Sequence, residues 1–307
     1  MRYRPVLKIF SLLVLLAIFA GCSSQPSAVP TISDLPETDS PDPTTAPTED
    51  AFDPEDTWAN FSADNFDRPT EITNQWMPLK PGTQYIFEGE TEEGGITSKH
   101  QVIFTVTDLT KVIDGVLSVV IWDRDFSEGS LVETELAFFA QDNDGNVWRM
   151  GEYPEVYEND VLVEAPAWIS GLKGAVAGIM MPAKPTLGAA SYSQGWGPAV
   201  DFTDRAQVDE VGLEVCVALD CFDDVMVTAE FSRSEPDAFQ LKYYAAGIGV
   251  IQVGWRGDDA TRETLELVEI KELTTAELAE AREMALLLEA NAYKTSKEVY
   301  DQTEPAK

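Results

Sequence analysis

The sequence predicts a mainly β protein: an antiparallel sheet, arranged as an open barrel or a sandwich, with a C-terminal α-helix. Three observations predict it. Short runs rich in β-branched and aromatic residues alternate apolar with polar side chains, the pattern of half-buried strands. Asp-Gly turns lie between such runs, a strong hairpin signal. Near the C-terminus the apolar period changes from two to that of a helix.

The elements follow in order. Tyr85–Gly89 starts a strand, and Gln101–Thr107 is a better one. Val116–Trp122 follows the turn at Asp114-Gly115, then Leu131–Ala140. The turn Asp142-Asn143-Asp144-Gly145 leads into Asn146–Met150. From Pro166 to Pro198 the chain is rich in Gly, Ala and Pro, and reads as an ordered loop crossing a sheet face with one or two strand fragments. Loops longer than about 15 residues are often functional, so a ligand surface is expected here, with Trp148, Trp168 and Trp196 as its candidate lining. Strands resume at Val211–Val217, Asp224–Phe231, Phe239–Tyr244, Ile248–Trp255 and Thr264–Ile270, with Gly247 and Gly249 marking a bulge or tight turn. Thr274 or Thr275 can cap the final helix, with Glu277 placed for a capping box. Leu278, Ala281, Ala285, Leu288 and Ala292 fall on one face.

The first 22 residues have another character. Arg2, Arg4 and Lys8 precede an apolar run from Ile9 to Ala20, then Gly21-Cys22. The run is shorter than the roughly 20 apolar residues that span a membrane. It has the cationic start, short greasy core and small-residue end of a signal peptide. Phe19-Ala20-Gly21-Cys22 resembles the lipobox of bacterial lipoproteins. The resemblance implies cleavage before Cys22, whose thiol carries the lipid and holds the protein to a membrane outside the cytoplasm. Each buried methylene of such an anchor adds about 0.8 kcal/mol.

Domain boundaries follow from composition. Residues 1–21 are the leader. Residues 22–57 hold seven prolines among Ser, Thr, Asp and Glu and no Lys or Arg. Such a segment buries too little apolar surface to offset the entropy of ordering it. Extended at roughly 3 Å per residue, it is a tether on the order of 100 Å long. Residues 58–272 form the β domain, 273–300 the helix and 301–307 a tail.

Charge excludes one class of partner. Losing Arg2, Arg4 and Lys8 with the leader leaves 18 basic residues against 54 acidic ones, a net charge of −36. Nucleic-acid binding needs cationic side chains on the phosphates and is rejected. The charge serves solubility and suits cations or basic partners.

With Cys22 assigned to lipid, Cys216 and Cys221 remain. Their compartment favours oxidation, and they lack the further ligands of a zinc site. A structural disulfide is expected. Asp142, Asp144 and Asn146 alternate like the first ligands of a calcium loop, but Gly145 falls too early and Tyr153 stands where that loop needs Glu. A hairpin turn explains the same residues; a Ca2+ site is the alternative. His100 is the sole histidine, which removes every multi-histidine metal site. No Gly-x-Ser-x-Gly elbow is present, and no catalytic residue is assigned. Glu133, Glu135 and Glu152 can meet across a hairpin, which keeps a carboxylate hydrolase open.

Two segments, Glu133–Trp148 followed by Gly151-Glu152, and Lys242–Val250, resemble a group of uncharacterised bacterial secreted proteins and lipoproteins. Those share Ala-Gln-Asp…Gly-Asn-Val-Trp and Lys-Tyr-Tyr-Ala-x-Gly-x-Gly segments. The resemblance spans about Phe66 to Ile270 and implies a β-rich domain without a known activity. Ala137 stands where the group often has an acid before the aromatic pair. The expected function is lipid-anchored binding or scaffolding outside the cytoplasm, toward a small molecule or protein. The alternative is a hydrolase of envelope or extracellular glycans.

Overall fold

The structure is a computed structural model that describes residues 59–232 and 235–307. The leader, Cys22 and the tether lie outside the described residues.

Five long antiparallel strands open the domain: β1 (Thr83–Glu93), β2 (Ile96–Ile113), β3 (Val116–Ser127), β4 (Ser130–Gln141) and β5 (Val147–Glu158). Short strands follow: β6 (Val161–Glu164), β7 (Trp168–Ile169), β8 (Val176–Met181), β9 (Tyr192–Ser193) and β10 (Gly195–Trp196). Five more long strands complete the sheet: β11 (Arg205–Cys216), β12 (Cys221–Ser232), β13 (Glu235–Ala245), β14 (Gly249–Gly257) and β15 (Thr264–Glu272). Helices α1 (Thr275–Thr295) and α2 (Lys297–Tyr300) end the chain.

The strand order is β10-β8-β5-β4-β3-β2-β1-β15-β14-β13-β12-β11-β9, with β6 and β7 paired to β5. The described strands form one open sheet rather than a sandwich. It curls far enough that β8 and β5, near one end, share a cavity wall with β13 and β14 near the other. The ends β9 and β10 flank Gln194, and no ladder between them closes the sheet. Gly178 of β8 allows the approach there. A Cβ at Gly178 would lie 2.1 Å from the Gly195 nitrogen.

The curl gives β3, β4 and β5 two buried faces. The outer face packs Val116, Val120, Trp122, Leu136, Phe138 and Met150 against Ala281, Ala285, Leu288 and Ala292 of α1. The inner face packs Val119, Ile121, Ala137, Phe139 and Val147 against Met180, Met226 and Tyr244. Two-sided burial explains the unbroken apolar stretch Leu136–Ala140 in β4.

The capping box on α1 forms as expected. The Thr274 hydroxyl accepts from the Glu277 N–H, and the Glu277 carboxylate accepts from the Thr274 N–H. Glu277 is held at about 2 by Lys271 and these cap bonds. Lys111 of β2 reaches the helix from the sheet, 2.8 Å from Glu289, with both side chains buried. The residues after Asp301 run back along the sheet, where Lys307 and Thr110 exchange backbone hydrogen bonds of 2.9 Å. Among the described residues no helix is long and apolar enough to cross a membrane.

Candidate functional site

The ladders of β3 with β4 and β4 with β5 change character along their length. On the inner face Val119 pairs with Phe139 and Ile121 with Ala137; then Asp123 pairs with Glu135 and Asp125 with Glu133. One face thus passes from apolar to acidic within a single pair of strands. On β5 a register shift puts Arg149 opposite Phe139 and Glu152 opposite Ala137. Three residues apart, these two would face opposite sides of a regular strand; the bulge returns them to one side.

Arg149 Nη2 donates to Glu135 Oε1 at 3.0 Å and also to Glu152. The Glu133, Glu135 and Glu152 set predicted from sequence is therefore brought together, with Arg149 between two of its members. Burial and the neighbouring Glu152 and Asp123 charges push the Glu133 carboxyl up to about 8. Burial and Glu152 likewise hold Glu135 well above the carboxylate range. Asp125 is raised by burial and by Glu263.

His100 joins this set from β2. Its Nε2 lies 2.8 Å from Glu263 Oε1 and 3.3 Å from Asp125 Oδ1. Glu263 stands in the connection from β14 to β15, and its other oxygen accepts from Gln240 Nε2 at 2.6 Å. On β13 and β12, Lys242 Nζ lies 2.7 Å from Glu230 Oε2. Gln194, between the ends of the sheet, donates to Glu230 Oε1 at 2.8 Å.

Where the apolar and charged halves meet, a cavity of about 100 Å³ remains. Tyr85, Phe87, Phe104, Phe139, Met180 and Tyr244 supply much of its wall, and Asp123, Arg149, Lys242 and Glu263 its polar lining. Met77, Pro78 and Leu79 come from a crossing segment before β1. Asn74 fixes that segment by donating to the Gly145 and Pro182 carbonyls at 2.9 and 3.1 Å. A wider polar recess, lined by Glu88, Glu90, Lys99 and His100 among others, shares Val253 and Leu265 with the cavity.

The other predicted positions lie elsewhere. Trp148 packs with Phe61 and Phe66 on the outer face, and its Nε1 donates to Asp142 at 2.8 Å. Trp168 stacks on Phe202 with ring centroids 4.8 Å apart. Trp196 is half-buried in β10. None of the three tryptophans lines this cavity, and the 166–198 segment contributes Met180 of β8 to its wall. Asp142 accepts from the N–H groups of Asp144 and Asn146, from the Asn146 amide and from Trp148. Its two oxygens thus serve four donors of the hairpin. Among the described residues no group of three or more His, Cys, Asp or Glu is placed to hold a metal ion. Cys216 and Cys221 form a disulfide, directly opposed at the tip of the β11–β12 hairpin.

Sequence reasoning missed Asp123, Asp125, Lys242, Glu230 and Glu263 as members of one interior. One signal was present: Asp123-x-Asp125 and Glu133-x-Glu135 stand on consecutive strands across a short turn.

No family model and no curated protein matches the chain. Two solved structures are similar over 64% of it. One, from Bacteroides fragilis, is assigned as an exported protein with a YmcC-like fold, at 12% identity and a TM-score of 0.37 over 99% of that chain. The other, from Parabacteroides distasonis, is assigned as a lipoprotein, at 10% identity and a TM-score of 0.30 over 97% of that chain. At these scores neither likeness bears on activity, and the functional reading rests on the interior.

Proposed function

We propose that this chain is a lipid-anchored binding protein outside the cytoplasm, which takes a small, largely apolar ligand into the cavity of its curled sheet. The carrying observation is the wall: aromatic and aliphatic side chains from β1, β2, β4, β8 and β13 converge on one space with the acidic Asp123 and Glu263 and the basic Arg149 and Lys242. Ligand sites have this composition, apolar lining for affinity and a few polar groups for orientation. The lipobox-like leader and the tether support the location.

The test is a fluorescence titration with N-phenyl-1-naphthylamine, a neutral apolar dye. Binding is expected with wild type and is lost in Val250→Trp, which fills the space from β14. Equal binding by a folded Val250→Trp variant would place the dye elsewhere and defeat the reading.

One observation favours hydrolysis as a second reading. Glu133 keeps its proton up to about 8, as a general acid must at neutral pH; Asp123, which helps to raise it, lines the cavity, while Glu133 itself lies outside the cavity wall. Against this, Glu135 and Glu152 are engaged by Arg149. Turnover of aryl glycosides that is lost in Asp123→Asn would establish it; no turnover across a panel would remove it.

A further inference from the structure

We propose that the connection from β14 to β15, residues 258–263, is the door of the cavity, latched by Glu263 against His100 and opening toward the polar recess; this rests on the cavity being a ligand site. Glu263 lines the cavity and His100 lines the recess. The side chains of His100 and Glu263, 5% and 6% exposed, meet at 2.8 Å. One pair of touching side chains thus stands between the two spaces. Val253 and Leu265 line both spaces, and they are partners across the β14–β15 ladder.

That ladder is a weak seam of the sheet. It holds two residue pairs, Gln252 with Glu266 and Val253 with Leu265, whereas β15 shares eight with β1 on its other side. Beyond Val253 and Leu265 the two strands part and run into the connection. Left-handed backbone flanks it, with Gly257 at φ 79° and Arg262 at φ 46°. Outside, Glu92 ties the connection down. Its N–H donates to the Thr261 carbonyl at 2.9 Å, and its carboxylate meets Arg262 at 3.0 Å with both side chains nearly half exposed. An ion pair so exposed holds weakly. Inside, Glu263 reaches His100 of β2 and Gln240 of β13, so releasing this one side chain frees the connection from two strands at once. The released carboxylate enters the polar recess, and His100 keeps Asp125 at 3.3 Å. Opening therefore leaves neither charge buried and unpaired, the costly outcome. Segments held by few ladder bonds open locally at low cost, and such loops set the rates of many sites.

The experiment is stopped-flow mixing of the full chain with N-phenyl-1-naphthylamine. Glu263→Ala removes the latch and is expected to raise both the association and the dissociation rate about tenfold or more. Glu92→Cys with Thr261→Cys shuts the door from outside, since the hydrogen-bonded backbones of the two residues stand within reach of a disulfide. Its oxidised form is expected to slow both rates about tenfold or more while the dissociation constant stays within about twofold. Dithiothreitol is expected to restore the rates, with wild type in dithiothreitol as the control for Cys216–Cys221. The crosslinked variant keeps Glu263 and His100, so it decides the matter if Glu263→Ala fails to fold. Rates unchanged by the crosslink would overturn the door and leave the cavity reading intact, the dye then entering elsewhere. No binding of the dye by wild type would defeat the cavity reading itself, and the door with it.

Discussion

Lys242 Nζ lies 2.7 Å from Glu230 Oε2, with side chains 2% and 1% exposed, on adjacent strands of the inner face. Desolvating two charges is offset only when the pair stays intact, and removing one partner strands the other. Lys242→Met is therefore expected to lose about 3–5 kcal/mol. Lys242→Met with Glu230→Met is expected to recover most of that loss. Urea unfolding of the two variants checks it; a double variant as unstable as the single would mean that the pair is not the source.

Acidity inside the sheet makes stability depend on pH. Glu133 titrates near 4.5 unfolded and near 8 folded. The folded state holds the extra proton, so its contribution is complete below about pH 4.5 and lost as pH rises through 8. Asp125 and Glu135 shift in the same direction. Stability is expected to fall from pH 5 to pH 9, and to fall less in Glu133→Gln, by on the order of 2 kcal/mol. Parallel pH profiles for wild type and variant would contradict this.

The closeness of the sheet ends rests on Gly178. A methyl there meets the Gly195 nitrogen at 2.1 Å and the Gln194 carbonyl carbon at 2.4 Å, both backbone atoms that cannot rotate away. Gly178→Ala is expected to cost about 3 kcal/mol or more and to weaken dye binding, because Gln194 anchors Glu230. A melting temperature within a degree of wild type would show that the ends yield freely.

The disulfide sits at an exposed hairpin tip away from the cavity. Closing so short a loop stabilises by no more than about 2 kcal/mol. Reduction is expected to lower the melting temperature by only a few degrees and leave dye binding unchanged. Loss of binding on reduction would tie the hairpin to the site.

The strands were legible, but their charged ends were not. Alternation ends β3 at Trp122, whereas the strand runs to Ser127. It ends β5 at Met150, whereas the strand runs to Glu158. Both breaks fall where the inner face turns from apolar to ionisable. In a flat sheet with one wet face, Asp123 and Asp125 belong in water. Curling covers that face, and a local pattern does not report the curl. The meeting of Glu133, Glu135 and Glu152 was legible because one hairpin sets it. The approach of Glu263 and Lys242 was not, since it depends on strands distant in sequence. The places of the tryptophans were not legible for a related reason: whether Trp148 meets the outer-face cluster or Trp168 meets Phe202 depends on the curl, which a local pattern does not report.

The central claim is that a ligand is held inside the curled sheet. The most direct measurement is a crystal structure grown with 1-hexanol, a small, largely apolar ligand. Density is expected for the alkyl chain among Tyr85, Phe104 and Tyr244, with the hydroxyl toward the polar lining of Asp123 and Lys242. Density only outside the sheet, or a cavity unchanged at saturating hexanol, would contradict it.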